Sequence, residues 1–246
     1  MSERRLAPLP KVPPKVSLPV SVSQMQAIDR ATIEQIGIPR LLLIDHAGLA
    51  LANAIEQHFS HPKHPVLILC GTGYNGGDGL SAARHLNARS RSVRVLLAGK
   101  RSALRDEPAL FARILEKLGV SCGEIADPLD SHRVDEELAR AGVVIDALLG
   151  IGLREEVREP MRTLIERLNA CGKPVVAADI PSGLEADTGK PLGVCVRALL
   201  TVTFGRLKQG CLRNEGPLYC GKIELEPIGF PPQVLWGSSG NHVGSG

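Results

Sequence analysis

Five short apolar runs, separated by charged stretches of helical character, limit this chain to very few architectures. The runs are VLILC (66–70), VRVLLAG (93–99), VVIDALLG (143–150), PVVAADIPSG (174–183) and LLTVTFG (199–205). They are rich in β-branched residues and apolar on both faces, the pattern of strands covered above and below. Between them lie 78–89, 107–118, 132–141 and 158–170, which read as helices. Such alternation predicts an α/β fold with a mostly parallel central sheet and helices on both sides. A weak run at 121–126 adds a further strand, and GKIELEPIG (221–229) reads as an edge strand. Two helical patterns come first: SVSQMQAIDRATIEQIG, capped by Ser21 or Ser23 and ended by Gly37, and PRLLLIDHAGLALANAIEQHF, which starts at Pro39. The expected organisation is a proline-rich, charged arm over 1–20, one folded unit over 21–230, and a glycine- and serine-rich tail over 231–246.

Charge and cysteine usage narrow the functional classes. Lys and Arg number 29 against 26 Asp and Glu, spread along the chain, and only 3% of residues are aromatic, so neither nucleic acid nor a membrane surface is implied as a partner. No apolar stretch reaches the length of a membrane span, and the first residues lack the apolar core of a secretory signal. The six cysteines, at 70, 122, 171, 195, 211 and 220, form neither a CxxC pair nor a zinc spacing. They read as buried free thiols, which fits a reducing cytoplasm.

In an open parallel sheet, ligands bind beyond the C-terminal strand ends, and three strands here end in unusual residues. The first runs into GTGYNGGDG, where Gly71, Gly73, Gly76, Gly77 and Gly79 permit close backbone approach before a helix N-terminus. A classical NAD site would also need an acidic residue at the end of the second strand, but LLAGKRS places Lys100 and Arg101 there, basic residues that would suit a 2′-phosphate instead. Asp78 either caps the following helix or stands in a site where it would repel phosphate. The fourth strand ends in Asp146 and the fifth in Asp179. Each alone could serve as a turn cap, but neighbouring parallel strands bring both to one rim. Carboxylates gathered there either share a cation or raise one another's pKa toward values useful for proton transfer. Asn75 and Ser182 add neutral oxygens, giving the donor set of a hard cation. Ser182 lacks a GxSxG elbow, which argues against a hydrolase triad. Arg158 reads as the partner of a surface ion pair, and Lys208 follows the sixth apolar run, within reach of the rim.

GTGYNGGDGLSAARHL, VVIDALLGIG…VREP, ADIPSGLEADTGK and TVTFGRLKQG, in this order and with SQMQAIDRATIEQIGIPRLLLIDHAG upstream, resemble the YjeF N-terminal domain family over roughly residues 20–230. The resemblance implies a Rossmann-like three-layer αβα fold, a homodimer, and NAD(P)H-hydrate epimerase activity. That activity interconverts the R and S epimers of hydrated NADH or NADPH (NADHX, NADPHX), working with a separate or fused dehydratase. The family's potassium ligands fall on Asn75, Asp146 and Ser182. Its substrate contacts fall on Tyr74, Asn75, Gly76, Gly77 and Asp78, on the loop Gly150, Ile151, Gly152, Leu153, Arg154, Glu155 and Glu156, and on Asp179. Asp179 is the expected proton-transfer residue, its pKa raised by burial and by Asp146. Thr72 and Tyr74 depart from the family's GNGNNGGDG, and His46 stands where ENAG has asparagine. Relatives in mRNA-decapping assemblies or lipid-carrier binding make a non-enzymatic scaffold or nucleotide-binding module the alternative.

Overall fold

The computed structural model describes residues 18–59, 65–125 and 131–236. Seven strands form one sheet: β1 (Val66–Cys70), β2 (Val93–Ala98), β3 (Cys122–Ile125), β4 (Val143–Ala147), β5 (Val175–Ala178), β6 (Leu200–Phe204) and β7 (Lys222–Glu226). The spatial order is β3-β2-β1-β4-β5-β6-β7, and every pairing is parallel, including that of the expected edge strand β7. The order reverses between β1 and β4, so their C-terminal ends flank the crevice of a doubly wound sheet.

The strands are apolar throughout because alternate residues serve two separate cores. Val66, Ile68 and Cys70 face α2 (Arg40–His58), α3 (Tyr74–Ala88) and α4 (Asp106–Lys117), meeting Leu51, Leu80 and Phe111. Leu67 and Leu69 face α5 (Ser131–Arg140) and α6 (Met161–Ala170), where Leu138, Leu164 and Leu168 close the opposite layer. Each such aliphatic side chain contributes about 1.5–3 kcal/mol on burial, so a one-residue slip of β1 would forfeit both layers.

The packed unit is wider than the expected boundaries. Val20 is 5% exposed, and its amide donates to the Leu207 carbonyl at 2.8 Å, so the chain is tied down before residue 21. Residues 1–17 of the expected arm lie outside the described residues. At the other end, α7 (Gly216–Cys220) is followed by β7 and by α8 (Pro232–Trp236), which buries Leu235 and stacks Trp236 under Arg206. The remainder of the expected tail, 237–246, also lies outside the described residues.

Candidate active site

A cavity of about 830 Å³ opens at the C-terminal ends of β1, β4, β5 and β6, roofed by α1 (Val22–Arg30) and the start of α2. Its size suits a small-molecule ligand. Tyr74, Asn75 and Asp78, the loop Gly150 to Leu153, and Asp179 all line it. Gly76 and Gly77 do not, and neither do Arg154, Glu155 and Glu156, which border a shallower depression beside it. Arg154 instead pairs with Glu185 at 3.1 Å, and Glu155 with Arg158 at 2.5 Å. Lys100 and Arg101 are also away from the cavity, with Arg101 held by Glu116 at 2.9 Å.

The glycine-rich segment is helical earlier than its composition suggests. α3 starts at Tyr74 with Gly73 as N-cap, so Asp78 lies a full turn inside the helix and caps nothing. The glycines are there for proximity. A Cβ on Gly76 would collide with the Gly71 carbonyl oxygen, and one on Gly79 would lie 2.7 Å from Ala147 Cβ and 2.8 Å from Cys70 Sγ. α3 is thereby pressed against the ends of β1 and β4, with the free N–H groups of its first turn turned toward the crevice.

Asp179 terminates β5 in a left-handed conformation, with φ of 67°, a costly geometry for a residue other than glycine. Its Oδ1 accepts from Phe204 N at 3.0 Å, from Thr203 Oγ1 at 3.3 Å and from Lys208 Nζ. Lys208 is 1% exposed and also donates to the Phe204 carbonyl at 2.8 Å and to Thr203 Oγ1 at 3.2 Å. The ammonium is therefore fully satisfied, and the aspartate is fixed in place.

Asp146 does not join Asp179, contrary to the expectation from adjacent strands. It points beneath the cavity, fully buried, where Oδ1 accepts from Ser182 Oγ at 2.6 Å and Leu148 N at 3.3 Å, and Oδ2 accepts from Ser182 N at 2.8 Å. The bend at Leu148 that makes this possible also ends β4 at Ala147. Burial pushes the Asp146 carboxyl up to about 6 against the opposing pull of those neutral donors.

The residues around Asp146 fit a monovalent cation. Ser182 Oγ accepts from Leu149 N at 2.9 Å and lies 3.2 Å from the Leu149 carbonyl oxygen, so it keeps a lone pair after donating to Asp146. The Asn75 side chain lies against Gly150, and its buried Nδ2 has no hydrogen-bond partner in the structure. An amide that can turn either its oxygen or its nitrogen toward the same spot suits a ligand there. Among the described residues no three His, Cys, Asp or Glu side chains are grouped so as to hold a metal, and Asn75 and Ser182 are neutral donors.

Three charged lining residues escaped the reading of strand ends because they come from the leading helices. Asp29 and Arg30, on α1, and Arg40, the first residue of α2, all line the cavity. A signal for Asp29 was available: it continues the stripe Val22, Met25, Asp29, Thr32, whose other members are all buried. Burial, reinforced by the Asp179 charge, raises the Asp29 carboxyl from 3.8 to about 6, while Lys208 and Arg40 pull the other way. Asp78 is raised well above the carboxylate range by burial, then by Asp179 and Asp29. Arg40 stacks over the Tyr74 ring at 4.5 Å and donates to its hydroxyl at 3.1 Å, closing one side of the mouth. His46 is outside the cavity: its Nδ1 meets the Ile228 carbonyl at 3.1 Å, behind the wall that Ile228 and Phe230 form.

A parallel doubly wound sheet with a cavity at its switch point defines a class, the α/β proteins that bind a nucleotide or similar ligand at strand ends. The chain belongs to the family described as YjeF-related protein N-terminus, which it matches over residues 41–210. It is 42% identical over 213 residues to the bifunctional NAD(P)H-hydrate repair enzyme Nnr of Pyrobaculum aerophilum, covering 86% of this chain and 42% of that one. It is 38% identical to the NAD(P)H-hydrate epimerase of Limosilactobacillus fermentum, covering 83% of this chain and 93% of that one. Thus the chain spans about two-fifths of the bifunctional relative and nearly all of the shorter one. The crystal structure of yeast ynu0 superimposes with a TM-score of 0.72 at 23% identity, covering 84% of this chain and 86% of that one, which establishes a shared fold.

Proposed function

We propose that this chain is an NAD(P)H-hydrate epimerase that equilibrates the C6 epimers of NADHX and NADPHX. The observation that carries the reading is the constellation Asp179–Lys208 inside a cavity of nucleotide size, in a chain aligned with nearly the whole length of a relative named for this activity. C6 of the hydrated ring bears a hydroxyl next to the ring nitrogen. Once the hydroxyl oxygen is protonated, the nitrogen lone pair expels it as water, leaving an iminium. Water then adds to the other face and gives up a proton, and no net oxidation occurs. The chain's part is to hold the ring, exchange those protons through Asp179, and stabilise the cationic iminium with the surrounding carboxylates. Lys208 fixes the orientation of Asp179 and keeps the cluster from an excess of negative charge. The N–H groups at the start of α3 and the Gly150–Leu153 backbone are suited to the dinucleotide's phosphates.

Asn75, Asp146 and Ser182 would hold a potassium ion, which would supply a fixed positive charge and neutralise the buried carboxylate. We further assign the protein a homodimeric state, a reducing cytoplasmic setting and a partnership with a dehydratase. The six cysteines are all free, as such a setting requires, and among the described residues no helix is long and apolar enough to cross a membrane.

The test is incubation with an R-enriched NADPHX mixture, following loss of the R epimer by chromatography, for the wild type and for Asp179→Asn. Asparagine keeps the size and loses the exchangeable proton. A fall of about 10²-fold or more is expected, the usual scale of general acid–base contributions. Wild-type exchange at the uncatalysed rate would leave the non-enzymatic scaffold in its place. A folded Asp179→Asn protein within a few-fold of wild type would remove Asp179 from the chemistry.

A further inference from the structure

Asp179 is immobile. Three donors hold its Oδ1, its backbone is in the left-handed region, and its amide is bonded to the Val202 carbonyl at 2.8 Å. An epimerisation at C6 needs proton exchange on both faces of the ring, since water leaves from one and returns to the other. A carboxylate fixed at the sheet rim serves one face of a ring held in one orientation.

The second face has a candidate in Asp29, which reaches the cavity from the roof helix α1 and not from the rim. Its position is tied to that of Lys208. Val20 forms a parallel bridge with Lys208, the Gln209 amide donates to the Val20 carbonyl at 3.0 Å, and a capping box of Ser21 and Gln24 starts α1 directly after this junction. One backbone junction thereby sets both the lysine that orients Asp179 and the helix that presents Asp29. Directly past Asp29 and Arg30 the helix widens into a π turn over Ala31–Gln35, a geometry that costs regular hydrogen bonding and often marks functional positions. The groups that face Asp29 are Asp179 at the end of β5, Asp78 on α3, Lys208 after β6 and Arg40 on α2.

We propose that Asp29 is a second catalytic residue, exchanging a proton with the C6 oxygen on the face of the ring opposite to the one served by Asp179. The proposal rests on the epimerase reading above. In one direction the Asp29 carboxylic acid protonates the hydroxyl, the C6–O bond breaks as the C6–N1 double bond forms, and water departs. A new water forms its bond to C6 from the other face and passes a proton to the Asp179 carboxylate. The reverse reaction runs the same transfers backwards, and solvent water returns the proton between turnovers. A shared-proton pair thus serves both epimers, as an enzyme catalysing an equilibrium requires.

The experiment measures exchange from both R- and S-enriched NADPHX between pH 5 and 9 for wild type, Asp29→Asn, Asp29→Glu and Asp179→Asn, with NADPH binding followed by its fluorescence. Asp29→Asn is expected to lose about 10²-fold in kcat in both directions while binding NADPH as wild type does. Asp29→Glu should regain part of the rate. The wild-type rate should fall as pH rises through about 6, where Asp29 gives up its proton, and this limb should be absent from the residual activity of Asp29→Asn. Because the raised carboxyl is a liability to the fold above that pH, asparagine should not lower the melting temperature at pH 8. Asp29→Asn within a few-fold of wild type, with Asp179→Asn inactive, overturns the role of Asp29 and leaves the epimerase intact. Loss of NADPH binding in Asp29→Asn, with no change in pH profile, also overturns it in favour of a binding role. An inactive wild type would defeat both.

Discussion

Two acidic regions lie at the strand ends of this sheet, one in the cavity and one beneath it, and burial acts on both, yet they are built differently. Under the cavity, Asp146 meets only neutral donors, from Ser182 and from the backbone of Leu148 and Ser182. In the cavity, Asp29, Asp78 and Asp179 act on one another's charge and share one buried ammonium, Lys208. A buried carboxylate held by fixed neutral dipoles keeps an uncompensated charge, which is why the proposed cation is assigned there. Carboxylates crowded around too little positive charge must retain a proton, and a retained proton is available for chemistry. On the proposed reading, the first region holds a cation and the second exchanges protons.

The sharpest attack on this division is Lys208→Met, which keeps the stem and deletes the charge. Breaking a buried pair by removing one partner costs about 3–5 kcal/mol, because Asp179 is left buried without its cation. The urea midpoint at neutral pH should fall accordingly, and activity should be lost. Adding Asp179→Asn to Lys208→Met should return much of the stability and none of the activity. A single variant that costs less than about 1 kcal/mol would make the pair equivalent to an exposed one and dissolve the distinction between the regions.

How much of this was legible in the sequence depends on whether a local pattern or a long-range junction carries it. The strands and the helices between them could be read because both faces of the sheet are covered, so the runs stay apolar and the punctuation is clean. Strand ends were harder: the apolar runs at 143–150 and 174–183 continue past β4 and β5, since Leu148, Leu149 and Ile180 are apolar for the sake of cavity and loop packing. Asp146 and Asp179 were legible as strand-end residues, with Ser182 and Lys208 as neighbours, but which aspartate each would bind was not, because orientation about a strand end depends on how later segments return to it. Asp29 was hidden more deeply. Nothing local links α1 to the segment around Lys208, almost the whole folded chain away in sequence, and the one hint is a charged residue on an otherwise buried helical stripe.

A smaller effect tests the holding region. Ser182→Ala removes both the hydroxyl that donates to Asp146 and the acceptor of the Leu149 amide. Leaving such buried groups short of a partner costs about 1–3 kcal/mol. If the cation reading holds, replacing choline chloride by potassium chloride at constant ionic strength should raise the wild-type urea midpoint, because the ion binds only the folded state. The gain should shrink or disappear in Ser182→Ala. Equal midpoints for the wild type in the two salts would remove potassium from the assignment and leave Asp146 as a purely internal brace for the turn at Leu148.

The smallest effect belongs to the mouth, where neither region is involved. Tyr74 is 40% exposed and stacks with Arg40 on the rim of the cavity. Tyr74→Asn forfeits the cation–π contact and frees Arg40, which is then less pre-positioned for a charged group of the ligand. An exposed contact of this kind is worth about 0.5–1 kcal/mol, so KM for NADPHX should change by up to about five-fold. Stability should change by no more than the same amount. The value of kcat should change little, because the hydrogen bonds that fix Asp179 do not involve the mouth. A fall in kcat of ten-fold or more with KM unchanged would mean that Tyr74 or Arg40 acts in the transition state, and the reacting region would then have to be redrawn to include the mouth.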